Sequence, residues 1–165
     1  MTPGRQETFE GLMRAHEGRV LRTALRMLGR LEDAQDAAQE VFLRLYRFLD
    51  KLDLEREAAP WLYRMTVNVC CDLLKKRPPA APLEFEPPSR EPSADQRMED
   101  AERKRLLEQG LMTLGEKERA AVVLRDVEGL ETAEVARILG SSEGTVRSQV
   151  SLARVKLRRY VEARQ

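Results

Sequence analysis

LETAEVARILGSSEGTVRSQVSLARVKLRRYV, residues 130–161, reads as two helices joined by a tight turn. The shorter helix carries Val135, Ala136 and Leu139 inward, and Gly140 supplies the turn. A hydroxyl residue, Ser141 or Ser142, is placed to cap the helix that follows. In that longer helix Val146, Val150, Ala153 and Leu157 recur at i, i+4, i+7 and i+11, which makes one buried stripe. Arg147, Ser148, Gln149 and Ser151 are left near its amino end. A major groove about 12 Å wide admits one helix, whose early residues meet base edges while a capped terminus and nearby arginines meet phosphates. Arg147 is the first candidate for contact with a base or a phosphate. An ordinary helical hairpin with a solvated basic face would share the charge run. The short helix, glycine turn and long basic helix together favour a helix-turn-helix.

Outward from this motif, charge is uneven. The chain of 165 residues carries a formal charge of only +1, too little to hold nucleic acid by bulk electrostatics. From Glu143 onward, however, Arg147, Arg154, Lys156, Arg158, Arg159 and Arg164 face only Glu143 and Glu162. Two more helices precede the motif, so the downstream part is expected as helices over about 97–112, 116–126, 132–139 and 143–161. Before them lies RPPAAPLEFEPPSREPSADQ, residues 77–96, with Pro78, Pro79, Pro82, Pro87, Pro88 and Pro92, which no continuous helix accommodates. Glu84, Glu86, Glu91 and Asp95 keep it solvated, so it is expected to be a semi-rigid acidic spacer.

Upstream of the spacer, helical periodicity covers about 5–28, 31–50 and 60–76. The second of these has the clearest stripe: Ala34, Ala37, Ala38, Val41, Phe42, Leu45, Phe48 and Leu49. The third opens on Pro60, suited to a first helical turn, and carries Trp61, Met65 and Val69 inward before ending in Lys75, Lys76 and Arg77. Trp61 could stack on a base, but its spacing to Met65 and Val69 favours core packing. No strand alternation of useful length occurs. The expected fold is all-α: a three-helix bundle over 1–77, a linker over 78–96, and a four-helix domain with the helix-turn-helix over 97–165.

The remaining composition excludes several classes. An apolar fraction of 42% with 35% charged residues suits a globular protein of amphipathic helices. No apolar run approaches the ~20 residues a bilayer requires, and MTPGRQETFE lacks the apolar core of a signal peptide, so a cytoplasmic location is expected. Cys70 and Cys71 are adjacent, where a bridge would be strained, and are expected as reduced thiols. His16 is the only histidine, no Cys-x-x-Cys accompanies it, and no glycine-rich phosphate loop is present. Carboxylates interleave with arginines on helical faces, as in solvated pairing. No catalytic residue, metal or cofactor is expected.

Two blocks upstream, LEDAQDAAQEVFLRLYRFLD and WLYRMTVNVCCDLLKKR, and one downstream, LGEKERAAVVLRDVEGLETAEVARILGSSEGTVRSQVSLAR, give the whole chain a strong resemblance. It resembles the extracytoplasmic-function sigma factors, the smallest class of sigma-70-type proteins. The resemblance implies that the segment DAAQEVF docks on the clamp helices of the polymerase largest subunit through Asp36, Gln39, Glu40 and Arg44. An ordinary solvated helix face is the alternative for any one of them. It implies that the third helix recognises and opens the minus-ten element. Asn68 and Asp72, one turn apart, would face the extruded strand, with Arg64, Lys75, Lys76 and Arg77 as backbone clamps. Cations ending a helix also complement its dipole, a role compatible with phosphate binding. In the downstream domain Ser142, Thr145, Arg147, Ser148, Gln149, Ser151 and Arg154 would read the duplex minus-thirty-five element.

Implied partners are core RNA polymerase, promoter DNA and an inhibitory anti-sigma factor. Two departures from the family pattern stand out. The loop KLDLEREAA, residues 51–59, which in relatives captures a flipped base, has no aromatic residue and several acids. At Gln149 and Leu152 many relatives carry arginine, so sequence preference is expected to shift; Gln149 can pair with adenine. The alternative to a sigma factor is a conventional helix-turn-helix regulator with an amino-terminal dimerisation or sensor domain, which would read a palindrome. A third, non-DNA-binding reading is a helical adaptor.

Overall fold

The computed structural model describes residues 4–76 and 95–165, and every regular element among them is helical. The upstream domain comprises α1 (Arg5–Leu28), α2 (Leu31–Phe48), a single 3-10 turn (Leu49–Lys51) and α3 (Ala58–Lys76). The downstream domain comprises α4 (Asp95–Leu111), α5 (Glu116–Val122), a π turn (Val123–Val127), α6 (Thr132–Leu139) and α7 (Glu143–Arg164). Most of the expected acidic spacer, and Arg77 with it, lies outside the described residues.

Local chemistry accounts for the ends that differ from expectation. α3 starts two residues before Pro60, with the Trp61 amide donating to the Glu57 carbonyl at 2.9 Å, so the proline sits inside the first turn where no donor is missed. The segment expected as one helix over 116–126 changes pitch at Val123. The Glu128 amide donates to the Val123 carbonyl at 2.9 Å, a five-residue step. α7 continues three residues past the expected 161, to Arg164.

The upstream core is formed by Val20, Ala24, Met27 and Leu28 of α1 against Val41 and Leu45 of α2 and Leu62, Val67 and Cys70 of α3, all buried. Burying a side chain such as that of Met27 contributes roughly 1.5–3 kcal/mol. Phe48 departs from its expected place in the stripe. It is 44% exposed because α2 ends there and Leu49, 3% exposed, takes the inward position. Its ring instead tilts against Trp61 at 6.3 Å, with the Lys51 ammonium 5.7 Å away. Trp61 and Met65 are half-buried at the core edge, while Val69 is buried as expected. Downstream, Val146, Val150, Ala153 and Leu157 are all buried, as their spacing requires. In α6, Val135 and Ala136 point inward as expected, but Ile138 replaces Leu139 as the next buried residue, since Gly140 turns the chain away immediately after it. Cys70 is buried and Cys71 half-buried, and burial, then the Glu116 carboxylate, pushes the Cys71 thiol up.

The two domains pack on each other, and Gly29 lies at the joint. It ends α1 in the left-handed conformation (φ 83°), its amide donating to the Leu25 carbonyl at 2.7 Å. A Cβ there would stand 2.6 Å from the Met112 sulfur of the downstream domain. Both backbone conformation and domain packing therefore demand glycine.

Candidate nucleic-acid interface

The amino end of α7 is built by Ser142. Its hydroxyl oxygen accepts from the Thr145 amide at 3.1 Å and donates to the Thr145 hydroxyl at 2.9 Å, which settles which serine caps. Gly140, at φ 66°, makes the turn that brings it there. Ser142, Thr145, Arg147, Ser148, Ser151 and Arg154 are all exposed along this helix. Gln149 differs: it is half-buried, and its Oε1 is buried with no hydrogen-bond partner among the described residues. Its amide oxygen faces the protein, while Leu152 is 53% exposed.

Alongside α7 runs a groove of about 270 Å³ lined by Arg125, Thr132, Arg147, Ser151 and Arg154, with Val146 and Val150 beneath. Three guanidinium groups in one groove make a surface complementary to phosphate. Arg154 is held by Asp126 through two bonds of 2.6 and 2.7 Å; that carboxylate, hydrogen bond first and charge second, raises its pKa further. The sequence reading missed Arg125. It lies inside the apolar run AAVVLRDV, and only the π turn and the packing of α5 on α7 bring it to the groove.

On α3, Arg64, Asn68, Asp72, Lys75 and Lys76 are exposed, the first four forming one ridge at successive turns. This ridge faces the downstream domain. Arg64 donates to the carbonyls of Arg137 (3.0 Å) and Ile138 (3.4 Å) at the end of α6, and the Lys75 ammonium is 3.5 Å from the Glu116 carboxylate. A cleft of about 500 Å³ opens beside it, lined by Arg56, Glu57, Trp61, Arg64, Arg137 and Ile138. The 51–59 loop beneath is folded in part by its own acids: the Asp53 amide donates to the Glu57 carboxylate at 3.2 Å. Leu52 and Leu54 pack on the core.

On α2, Asp36 and Gln39 are exposed, and Glu40 and Arg44 are half-buried and joined by a 3.0 Å ion pair one turn apart. Leu43 (48% exposed) and Tyr46 (39%) lie along the same helix, two exposed apolar residues the sequence reading passed over. They interrupt the polar face of α2 in the sequence, which was the available signal. Arg5 lies over the Tyr46 ring at 4.2 Å, and Phe9 meets it edge-on at 5.2 Å.

Two side chains close the joint between domains. Glu128, at the end of the π turn, accepts from Thr23 (2.9 Å) and Tyr63 (3.3 Å), with Arg26 at 3.8 Å. Burial first, and the Glu128 charge second, push the Tyr63 phenol up to about 12. From α5, Arg119, 4% exposed, donates to the carbonyls of Met112 (3.1 Å) and Leu114 (2.8 Å) and, across the joint, of Met27. These carbonyls lie at or just past helix carboxyl ends, where a buried cation is favoured. Elsewhere, burial and then Arg19 lower the pKa of His16, and no cluster of metal-ligating side chains occurs among the described residues. No described helix is long and apolar enough to cross a membrane.

Fold and surfaces together define a two-domain, all-helical protein carrying a helix-turn-helix. The family model for sigma-70 region 2 matches residues 6–78, and that for sigma-70 region 4 matches residues 104–157. The ECF RNA polymerase sigma factor SigM of Mycobacterium tuberculosis is 37% identical over 96% of this chain and 79% of its own length. SigW of Bacillus subtilis, also an ECF RNA polymerase sigma factor, is 30% identical over 96% and 91%. The chain spans 62% of the length of a third such relative, SigE of Mycolicibacterium smegmatis, at 35% identity. The structure of CnrH in complex with the cytosolic domain of CnrY superposes with a TM-score of 0.69 at 27% identity, over 97% of this chain and 91% of CnrH. The sigma factor RpoE of Bartonella quintana, solved with the anti-sigma factor NepR, has the same fold (TM-score 0.75, 19% identity, 96% of this chain and 99% of that one). The chain belongs to the extracytoplasmic-function RNA polymerase sigma factors of the sigma-70 family.

Proposed function

We propose that the chain is a specificity subunit that joins core RNA polymerase in the cytoplasm and selects promoters, with no catalytic chemistry of its own. The domain limits we assign are 1–77 for polymerase binding and the minus-ten element, 78–96 for the linker, and 97–165 for the minus-thirty-five element. The α2 ridge of Asp36, Gln39, Glu40 and Arg44 takes the polymerase clamp helices, and exposed Leu43 and Tyr46 add apolar area to that surface. The α3 ridge of Arg64, Asn68, Asp72, Lys75 and Lys76, with Arg77, takes the melted strand. The α7 edge of Ser142, Thr145, Arg147, Ser148, Ser151 and Arg154 enters the duplex groove, with Gln149 among its readers.

The observation that carries this reading is the capped amino end of α7, with Arg147, Ser148 and Ser151 exposed beside a three-arginine groove. Near-neutral bulk charge fits a protein whose DNA affinity is lent by polymerase. An inhibitory protein partner is part of the proposal, supported by CnrH, which is solved with a polypeptide partner. The deciding experiment is run-off transcription on a genomic fragment pool with purified core polymerase. Added protein should create new, discrete start sites that share two unlike upstream elements. An unchanged transcript pattern would overturn the proposal.

A further inference from the structure

The outward face of α7 carries two apolar side chains that the core does not use. Leu152 is 53% exposed and Val155 41%, while the core takes Val146, Val150, Ala153 and Leu157 from the opposite side of the helix. At 100° per residue, Leu152 stands about 130° from the middle of that buried stripe. It lies four residues past Ser148, so the two stack one turn apart on the same edge, with Ser151 beside them, and all three are exposed. Exposed cations precede and follow it along the helix, at Arg147, Arg158 and Arg159. Leu152 is thus an apolar group set within a polar edge whose surroundings suit phosphates.

That setting selects the occupant. The edges of base pairs in a major groove present hydrogen-bond donors and acceptors, and their one projecting apolar group is the C5 methyl of thymine. We propose that Leu152 is a thymine reader, packing its side chain on the C5 methyl of one thymine in the duplex element bound by α7. The inference deepens the duplex-reading role given to α7 above and rests on it. Leucine has no donor or acceptor on its side chain, so it tells bases apart only by whether they offer an apolar surface. Burying one methyl group changes an equilibrium by about fourfold, which sets the size of the preference. A protein partner on this face would have to cover Ser148 and Ser151 as well, because they share the edge with Leu152.

The test uses holoenzyme assembled from the full chain and core polymerase, bound to a duplex promoter recovered from the run-off pool. Each thymine of the upstream element, on either strand, is replaced in turn by deoxyuridine, which removes one methyl and keeps every hydrogen-bonding group. One such replacement should weaken wild-type binding about fourfold. Leu152→Ala should bind the unmodified duplex more weakly by the same factor and be indifferent to that replacement. Leu152→Met, which keeps the apolar reach, should retain most of the sensitivity. Val155→Ala, a turn farther from the capped end, should respond as wild type does. The proposal is overturned if no replacement affects wild-type binding, or if Leu152→Ala remains as sensitive as wild type. It is also overturned if Leu152→Ala loses affinity for core polymerase with the deoxyuridine response intact, which would assign the side chain to a protein contact. Holoenzyme that selects no promoter sinks the promoter-selecting role and this inference together, whereas holoenzyme that binds its promoter and ignores the methyl sinks this inference alone.

Discussion

The α3 ridge and the α7 edge are both exposed helical faces rich in cations, yet on α3 two of those cations also reach the neighbouring domain. On α7, Arg147, Ser148 and Ser151 point to solvent beyond a stripe of four buried apolar residues, and the Ser142 cap fixes where the helix begins. On α3, Arg64 and Lys75 spend their charge on a neighbouring domain. A surface that reads duplex DNA can be rigid and permanently displayed. Under the proposed reading, a surface for a melted strand has no ligand until the duplex opens, and here Arg64 and Lys75 meet protein acceptors meanwhile.

The largest effect should come from Arg119, which ties the domain carrying α7 to the one carrying α3 through the Met27 carbonyl. Replacing it by Met removes the donor from the carbonyls of Met27, Met112 and Leu114 in a buried setting. About 3 kcal/mol of stability should be lost, read as a lower urea midpoint with unchanged slope. Arg119→Lys should recover little, because a single ammonium nitrogen cannot stand where the two guanidinium nitrogens do, one at the Met27 carbonyl and the other at those of Met112 and Leu114. If Arg119→Met unfolds at the wild-type midpoint, the joint is not held as described.

Tyr63 allows the α3 side to be probed by pH. With its folded pKa pushed up to about 12, above the ordinary value near 10, the native state holds the phenolic proton more tightly than the unfolded chain. Its contribution is fully present below about pH 10 and is lost as pH rises through about 12. The difference in urea midpoint between wild type and Tyr63→Phe should stay constant from pH 7 to 9.5 and narrow from pH 10 to 11.5. A constant difference across the whole series would place Tyr63 outside the buried joint.

Much of this contrast was legible in the sequence, and the part that was not has a physical reason. The α7 stripe, the Gly140 turn and the three upstream helices follow from period and local chemistry alone. Periodicity places both Phe48 and Leu49 inward because it cannot say where a helix stops; only Leu49 is buried once the 3-10 turn begins. Arg119 and Arg125 sit in a segment that reads as one helix over 116–126, and Glu128 lies in the turn just after it. Their partners lie on α7, α1 and α3, and the π turn re-aims the last of them. Long-range pairing of that kind leaves no periodic trace. The bonds of Arg64 to the α6 carbonyls are likewise invisible in a run of residues that reads simply as one exposed helix face.

Arg147 and Arg64 should respond differently to the same truncation. Arg147→Ala removes an exposed cation that no described contact ties to the other domain. Duplex binding by holoenzyme should weaken by roughly 1–3 kcal/mol, with stability unchanged. Arg64→Ala removes the bonds to the α6 carbonyls along with the strand contact proposed above, so it should lower the urea midpoint as well as weaken single-strand binding. Equally unchanged midpoints in the two variants would erase the distinction between the two faces.

The smallest effect expected is at Arg154, where the bare face is restrained from within. Asp126 grips its guanidinium at 2.6 and 2.7 Å, but the arginine side chain is 53% exposed, so solvent screens the pair and its share of stability is under about 1 kcal/mol. Asp126→Asn should leave the urea midpoint nearly unchanged while releasing a full cation into the groove shared with Arg125 and Arg147. If that cation then reaches a phosphate, the dependence of log K on log salt for duplex binding should steepen by about one. An identical salt slope in wild type and variant would mean either that Arg154 already contacts phosphate while paired or that it never does. Arg154→Ala separates these, lowering the slope only in the first case.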